Sequence, residues 1–409
     1  MTSSDQYGLR LSNASPDNVA SYDAYAEAFV SYGPDIRALF DGADARPDAP
    51  LLQAHAAGLH LAFEARDGFE RAQPYLERMR AASATATPRE ALFCSAVERW
   101  AACDFRGALG ELDALTAAWP ADLCAIKWAQ YHAFNVGDDE ALRRLGDRAM
   151  VVHRDRPYAH GMRAFGLEQS HRIGEAEDEA MRAVAIAPGD AWAHHAMAHV
   201  FETQGRAEEG AAWMRANARW WDDRGIFVRE HNWWHAALFD LARGRPDEAL
   251  RVYDERLAGE WPEFPQEQIG RVSMLWRLEM RGVDVGDRWA PLLAVVQERA
   301  GDVVLPFHEL HYAYAVARAG TAAESNAQIA QIIAAGEADH PYAETWRTVA
   351  TPAALGVRAF ARGDWAEAAQ RLGDALPRLQ SIGGSHAQRH LFVEALAYAR
   401  GAASDALAA

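Results

Sequence analysis

The chain has 409 residues, half of them hydrophobic, with 41 basic and 58 acidic side chains and a formal net charge of −17. This acidic balance argues against nucleic acid and against an anionic membrane surface as partners, because both require clustered Lys and Arg. The three cysteines lack the paired spacing of a disulfide framework or a thiolate metal site. Neither a signal-peptide pattern nor an apolar run of about 18 residues is present, so we expect a cytoplasmic protein.

The first 48 residues are predicted to form an N-terminal arm and a capping helix. The opening residues are polar, and the apolar spacing from Val19 to Phe40 is helical. The stretch from Asp41 to Pro50 holds Gly, Asp and Pro and is predicted to be a loop.

Residues 49–409 are predicted to form a single domain of paired amphipathic helices. Turn-like dipeptides recur between helical patterns, for example Asp67-Gly68, Gly205-Arg206 and Gly244-Arg245. No alternating strand pattern with hairpin turns is found, so the predicted class is all-α.

The spacing of similar segments indicates a repeat. Tyr158 and Trp192 open two similar helices 34 residues apart, which is the tetratricopeptide period. We therefore predict a right-handed superhelix of stacked helix–turn–helix repeats, best formed at about 155–258, with C-terminal repeats at about 305–409. Residues 260–305 fit poorly and are predicted to hold a long connection.

Four blocks of the sequence resemble the family of tetratricopeptide repeat protein 38. They are YAHGMRAFGLE at 158–168, DAWAHHAMAHVFETQGRAEEGAAW at 190–213, HNWWHAALFDLARGRPDEALRVY at 231–253 and GGSHAQRHL at 383–391. The resemblance implies an α-helical superhelix of roughly this length and carries over no catalytic residue. The chain departs from its own repeat at His171, which stands where the next repeat has Gly205.

Histidines recur at helical spacing in the first helices of the repeats. His195 and His199 are four residues apart, with Glu202 one turn further, and His231 and His235 repeat the spacing in the next unit. Residues at i and i+4 share one helical face, so two imidazoles can reach one ion. We consider these five residues as candidate catalytic groups and the four histidines as candidate ligands of a divalent metal, Zn or Fe.

Other polar and aromatic residues are predicted to line the same concave groove and to contact a ligand. The candidates are His160, Glu168, Trp192, Trp234, His308 and His311. A structural role is the main alternative, because buried histidines commonly hydrogen-bond between helices and tryptophans commonly fill gaps between repeats.

Three functions stay open at this point. The first is a binding module whose His- and Trp-rich groove holds a small molecule or a peptide. The second is an enzyme, either a metal-dependent hydrolase or oxygenase or a metal-free acid–base catalyst. The third is a protein–protein interaction scaffold, the usual role of such repeats.

Overall fold

The protein is described by a computed structural model that covers residues 4–13, 15–257, 259 and 261–408. Within these residues, β pairing is confined to one bridge between Ser4 and Arg10. The α-helices are α1 Pro16–Ser31, α2 Ala38–Ala45, α3 Pro50–Leu61, α4 Arg66–Ala82, α5 Pro88–Ala101, α6 Phe105–Ala118, α7 Leu123–Asn135, α8 Asp139–His153, α9 Ala159–Gln169, α10 Ile173–Ile186, α11 Ala191–Thr203, α12 Ala207–Trp221, α13 Ile226–Ala242, α14 Pro246–Val252, α15 Pro265–Met280, α16 Trp289–Gln297, α17 Pro306–Ala319, α18 Ala322–Glu337, α19 Ala343–Thr345, α20 Thr351–Ala361, α21 Trp365–Ala375 and α22 His386–Ala408.

Short segments of other helical types extend or join these helices. Four are 3₁₀-helical, at Pro34–Arg37, Ser83–Thr85, Gly286–Arg288 and Leu376–Ile382. Two are π-helical, Tyr253–Leu257 after α14 and Trp346–Ala350 between α19 and α20. None of the helices in the described residues combines the length and the apolar character needed to cross a bilayer.

The chain divides into two compact units. Unit 1 consists of Met1–Phe134, Asp138–Arg206 and Ala212–Asn232, and unit 2 of Asn135–Gly137, Ala207–Ala211 and Trp233–Ala409. The division after residue 232 falls inside α13, which is one continuous helix. The predicted boundary between residues 48 and 49 does not coincide with any of these divisions. It stays a prediction.

Consecutive helices pack on each other as helix–turn–helix pairs. Close contacts join α3 with α4, α5 with α6 and α9 with α10 in unit 1, and α20 with α21 in unit 2. Helix α9 also contacts α8 and α11, so each pair stacks on its neighbours and buries the apolar faces that it cannot bury alone. The prediction of an all-α fold of stacked helix–turn–helix repeats is confirmed.

The turns between paired helices use left-handed backbone. Gly205 has φ of 69° and Gly244 has φ of 68°, a conformation that glycine adopts without steric cost. His171 occupies the equivalent turn with φ of 57°. The histidine therefore keeps the geometry of the repeat although it carries a side chain there.

Three local predictions are wrong. Helix α2 extends to Ala45 and α3 begins at Pro50, so only residues 46–49 of the loop predicted from Asp41 to Pro50 are non-helical. Residues 261–305 contain helices α15 and α16, so the long connection predicted around Pro262 and Pro265 is only a short stretch that ends where α15 begins. Gly68 lies inside α4, where a side-chain carbon would come within 2.5 Å of the His60 carbonyl oxygen. The glycine thus permits close helix packing and does not mark a turn.

Candidate metal centre

Helix α11 presents the first histidine pair. Its N-terminus is capped by Asp190, whose carboxylate accepts the backbone N–H groups of Trp192 and Ala193, both at 3.0 Å. Burial raises the pKa of the Asp190 carboxyl to about 6. The helix places His195 and His199 one turn apart on one buried face, with their Nε2 atoms 3.0 Å from each other.

Helix α13 presents the second pair. The backbone N–H of Gly225, just before the helix, donates to the carbonyl of Tyr32 at 2.8 Å. The Asn232 amide donates to the carbonyl of Ala191 at 3.3 Å and so ties α13 to the start of α11. The ring of His231 consequently lies 4.9 Å from the ring of His195, measured between centroids. His235 follows His231 by one turn of the same helix.

The imidazoles of α11 and α13 form a group with the composition of a metal site. Each of His195, His199 and His231, which all belong to unit 1, offers one ring nitrogen, and these nitrogens all lie within 4.8 Å of one another. His235 belongs to unit 2, and its predicted role as a metal ligand stays a prediction. Zn²⁺ binds imidazole nitrogen at about 2.0–2.1 Å, which places adjacent ligands of a tetrahedral site about 3.3 Å apart. The two histidines of α11 already have a suitable spacing, and the widest separation would have to close by roughly 1.5 Å.

The buried carboxylate of Glu168 lies next to one of these histidines. The Oε2 atom of Glu168, on α9, is 3.6 Å from Nδ1 of His199. The carboxylate also accepts a hydrogen bond from the Thr203 hydroxyl at 3.0 Å and one from the Gln169 amide at 2.5 Å. Burial and, to a smaller extent, the negative charge of the half-buried Glu202 raise the pKa of Glu168 to about 7. A carboxylate at Nδ1 of a histidine is the usual second partner of a metal-binding imidazole.

Half-buried aromatic rings surround the histidines in unit 1. Trp192 stacks on His195 with a centroid distance of 4.3 Å and on Tyr32 at 5.2 Å. Phe227 lies one turn before His231 and stacks on it at 5.6 Å with an interplanar angle of 10°. These contacts fix the planes of the His195 and His231 imidazoles.

A buried lysine supports this aromatic stack. The Nζ atom of Lys127 lies 3.4 Å from the centre of the Tyr32 ring, which is a cation–π contact. The ammonium also donates to the carbonyls of Phe29 and Val30, at the end of α1. Burial lowers the pKa of Lys127 to about 7.

His160 in unit 1 lies outside the group formed by His195, His199 and His231. Its Nδ1 atom is 2.5 Å from Glu179 Oε1, and its Nε2 atom is 2.7 Å from the carbonyl of Arg154. The hydrogen bond that the Glu179 carboxylate accepts from this imidazole raises the pKa of His160. Both ring nitrogens are thus engaged in local contacts between helices.

The remaining predicted contact residues lie in unit 2 and have partners there. Trp234 donates its indole N–H to Ser273 Oγ at 2.9 Å. The Gln266 amide donates to Nε2 of His308 at 3.2 Å, and Nδ1 of His311 is 2.9 Å from the Phe307 carbonyl. These side chains are buried. Their predicted role in ligand binding stays a prediction.

Tyr32, Lys127 and Phe227 were not among the residues predicted for this region. Phe227 lies four residues before His231, so helical spacing alone would have found it. Tyr32 and Lys127 come from α1 and α7, far away in the chain, and no local pattern connects them to the histidines.

No protein-family model matches the chain. Three solved structures are similar to it over most of its length. The APC/C hetero-tetramer Cut9–Hcn1 has 13% identity and a TM-score of 0.41, with 94% of this chain and 74% of that chain covered. Naa15/Naa10 bound to HypK-THB has 12% identity and a TM-score of 0.27, with 94% and 63% covered. The TPR domain of P58(IPK) has 13% identity and a TM-score of 0.21, with 95% and 99% covered. At these identities and TM-scores the likeness carries no argument about function, and the repeat architecture rests on the helix contacts.

Proposed function

We propose that the protein binds a divalent transition-metal ion through the imidazoles presented by α11 and α13, and that this ion holds a small-molecule or peptide ligand. The observation that carries the proposal is the convergence of ring nitrogens from His195, His199 and His231, all in unit 1, within 4.8 Å. Imidazole donors match Zn²⁺ best among abundant divalent metals, and they also suit Fe²⁺.

The position of Glu168 adds support from electrostatics. A dication brought among neutral imidazoles needs nearby negative charge, because burial of an uncompensated charge is costly. Glu168 is fully buried and lies 3.6 Å from His199. Its carboxylate supplies that charge and orients the imidazole so that Nε2 faces His195.

The test is the metal content of the purified full-length chain. After incubation with Zn²⁺ and gel filtration, elemental analysis is expected to find about one zinc ion per chain. His195→Ala and His231→Ala should both lose most of this zinc. His308→Ala removes a buried histidine of unit 2 outside the group and serves as the matched control, which should keep its zinc.

Circular dichroism of each variant separates metal loss from unfolding. If a variant at His195 loses helicity, the half-buried His231 provides the more conservative substitution. Wild-type protein that is folded and holds no stoichiometric zinc, iron or other transition metal after loading would contradict the proposal.

A second candidate is metal-free acid–base catalysis by Glu168 and His199. It is favoured by the contact between the two side chains and by the pKa of Glu168, which is near neutrality. Metal-free protein would then be the functional form. A protein-interaction scaffold, the common role of helical repeats, requires neither the metal nor the carboxylate.

A further inference from the structure

We infer that the centre is a three-histidine site, held by His195, His199 and His231, with an open coordination position that accepts an anionic ligand carrying an aromatic ring. This inference rests on the proposed metal binding and adds to it the number of protein ligands and the chemical class of the molecule bound. Three protein ligands and an exchangeable position are typical of metal ions that act on a ligand, whereas four protein ligands close the site.

The charges around the histidines distinguish His235 from the others. In unit 2, His235 is fully buried and experiences the positive charge of Arg277. That guanidinium is paired with Glu394 at 3.2 Å, yet it still opposes a second cation at His235. In unit 1, the carboxylate of Glu168 lies on the side of His199. Within unit 1 the Glu168 carboxylate therefore favours a dication at His199, and within unit 2 Arg277 disfavours one at His235.

Burial indicates the side from which a ligand reaches the ion. His195 and His199 are each 1% exposed, whereas His231 is only half-buried. A ligand that completes the coordination sphere therefore approaches along His231. The ring of Phe227, one helical turn earlier and parallel to His231, is half-buried and adjoins this approach.

The aromatic residues beside the approach determine the kind of ligand. Tyr32, Trp192 and Phe227 are all half-buried, and their centroids lie 5.2 to 6.5 Å apart. The faces of these rings already stack on His195, on His231 and on each other, so a planar ring placed against them gains edge-to-face contact in addition to burial of apolar area. A negatively charged group on that ring would bind the cation. The fitting ligand is thus a small aromatic anion, such as an aromatic acid or an aromatic side chain with a neighbouring carboxylate.

The experiment uses the full chain loaded with Co²⁺, whose visible absorption changes when a ligand enters its coordination sphere. Benzohydroxamate and acetohydroxamate share one chelating group and differ in the ring. Both are expected to change the spectrum, and benzohydroxamate is expected to bind about 2- to 12-fold more tightly, the range that one aromatic contact supplies.

Four variants test the roles of these residues. Phe227→Leu should remove most of the preference for benzohydroxamate while acetohydroxamate binding is retained. Phe227→Tyr, which keeps an aromatic ring at this position, should keep the preference. Phe40→Leu is the matched control, because Phe40 is also half-buried and contacts a histidine, His60, at 4.6 Å elsewhere in unit 1. His235→Leu should retain Co²⁺ binding and its response to hydroxamate.

Each contrary result has a distinct meaning. A Co²⁺ spectrum that neither hydroxamate changes shows a closed site and overturns the inference, while the proposed metal binding survives. Equal affinity for the two hydroxamates overturns the aromatic subsite, and loss of Co²⁺ from folded His235→Leu overturns the three-histidine assignment. Absence of Co²⁺ and Zn²⁺ binding by the wild-type chain contradicts the proposed function itself.

Discussion

Lys127 offers a quantitative test of how this region is held together. Its ammonium is buried against the Tyr32 ring and the carbonyls at the end of α1, and burial lowers its pKa from 10.5 to about 7. The charged or titratable groups that act on it are Cys124 and Asp190. The perturbation is Lys127→Met, which keeps a long apolar stem and removes the titrating group.

The sign follows from proton binding. Between pH 7 and about 10.5 the unfolded chain holds a proton on Lys127 that the folded chain has released, so the free energy of unfolding rises with pH. From pH 7 to pH 9 this contribution amounts to about 2 kcal/mol. Lys127→Met lacks it. The stability of the wild type minus that of the variant should therefore increase by this amount over the interval.

Urea denaturation at half-unit steps of pH, followed by circular dichroism, measures this difference. The m-value should be unchanged, so the effect appears in the midpoint. The unfolded thiols of Cys94, Cys103 and Cys124 also begin to ionise near pH 9, but they do so in both proteins and cancel. Stability curves of wild type and variant that run parallel from pH 7 to pH 9 would refute the reasoning.

Two further predictions concern the metal ligands and the packing. Glu168→Gln should lower the affinity for Zn²⁺ about 10- to 100-fold in calorimetric titrations, because the amide cannot supply the negative charge next to His199. An unchanged affinity would show that Glu168 does not support the metal site. Gly166→Ala should destabilise the fold, because the added carbon would lie 2.6 Å from the Leu142 carbonyl oxygen. Gly174→Ala places its added carbon in open space within α10 and should instead stabilise the fold by roughly 0.5–1 kcal/mol in denaturant titrations. Equal effects of the two substitutions would contradict the packing of α8 on α9.

Much of the architecture could be read from the sequence because repeats are local. The 34-residue spacing between Tyr158 and Trp192 comes from one helix–turn–helix unit, which contacts mainly its neighbours in the chain. Even the substitution of His171 for the turn glycine left the register unchanged, since its backbone adopts the same left-handed conformation as Gly205. The prediction of a turn at Gly68 was wrong, because this glycine permits close helix packing and does not form a turn.

The candidate site also shows that local sequence patterns do not predict contacts between distant residues. Helical spacing predicted that His195 and His199 share one face, and their nitrogens are 3.0 Å apart. Spacing could not tell which of the other predicted residues join them. His160 contacts Glu179 on α10, and Trp234 contacts Ser273 on α15. Each of these contacts depends on a residue that is distant in sequence.

The amino-acid sequence by itself determined the helical class, the period of the repeat and the pairing of histidines along each helix, because these properties arise from interactions within a few turns of the chain. Only the tertiary structure decided which surfaces face each other. It brought Glu168 of α9 to His199 and placed Tyr32 of α1, supported by Lys127 of α7, against Trp192. The charge behind the histidines and the aromatic rings beside them therefore come from residues whose proximity no local pattern encodes.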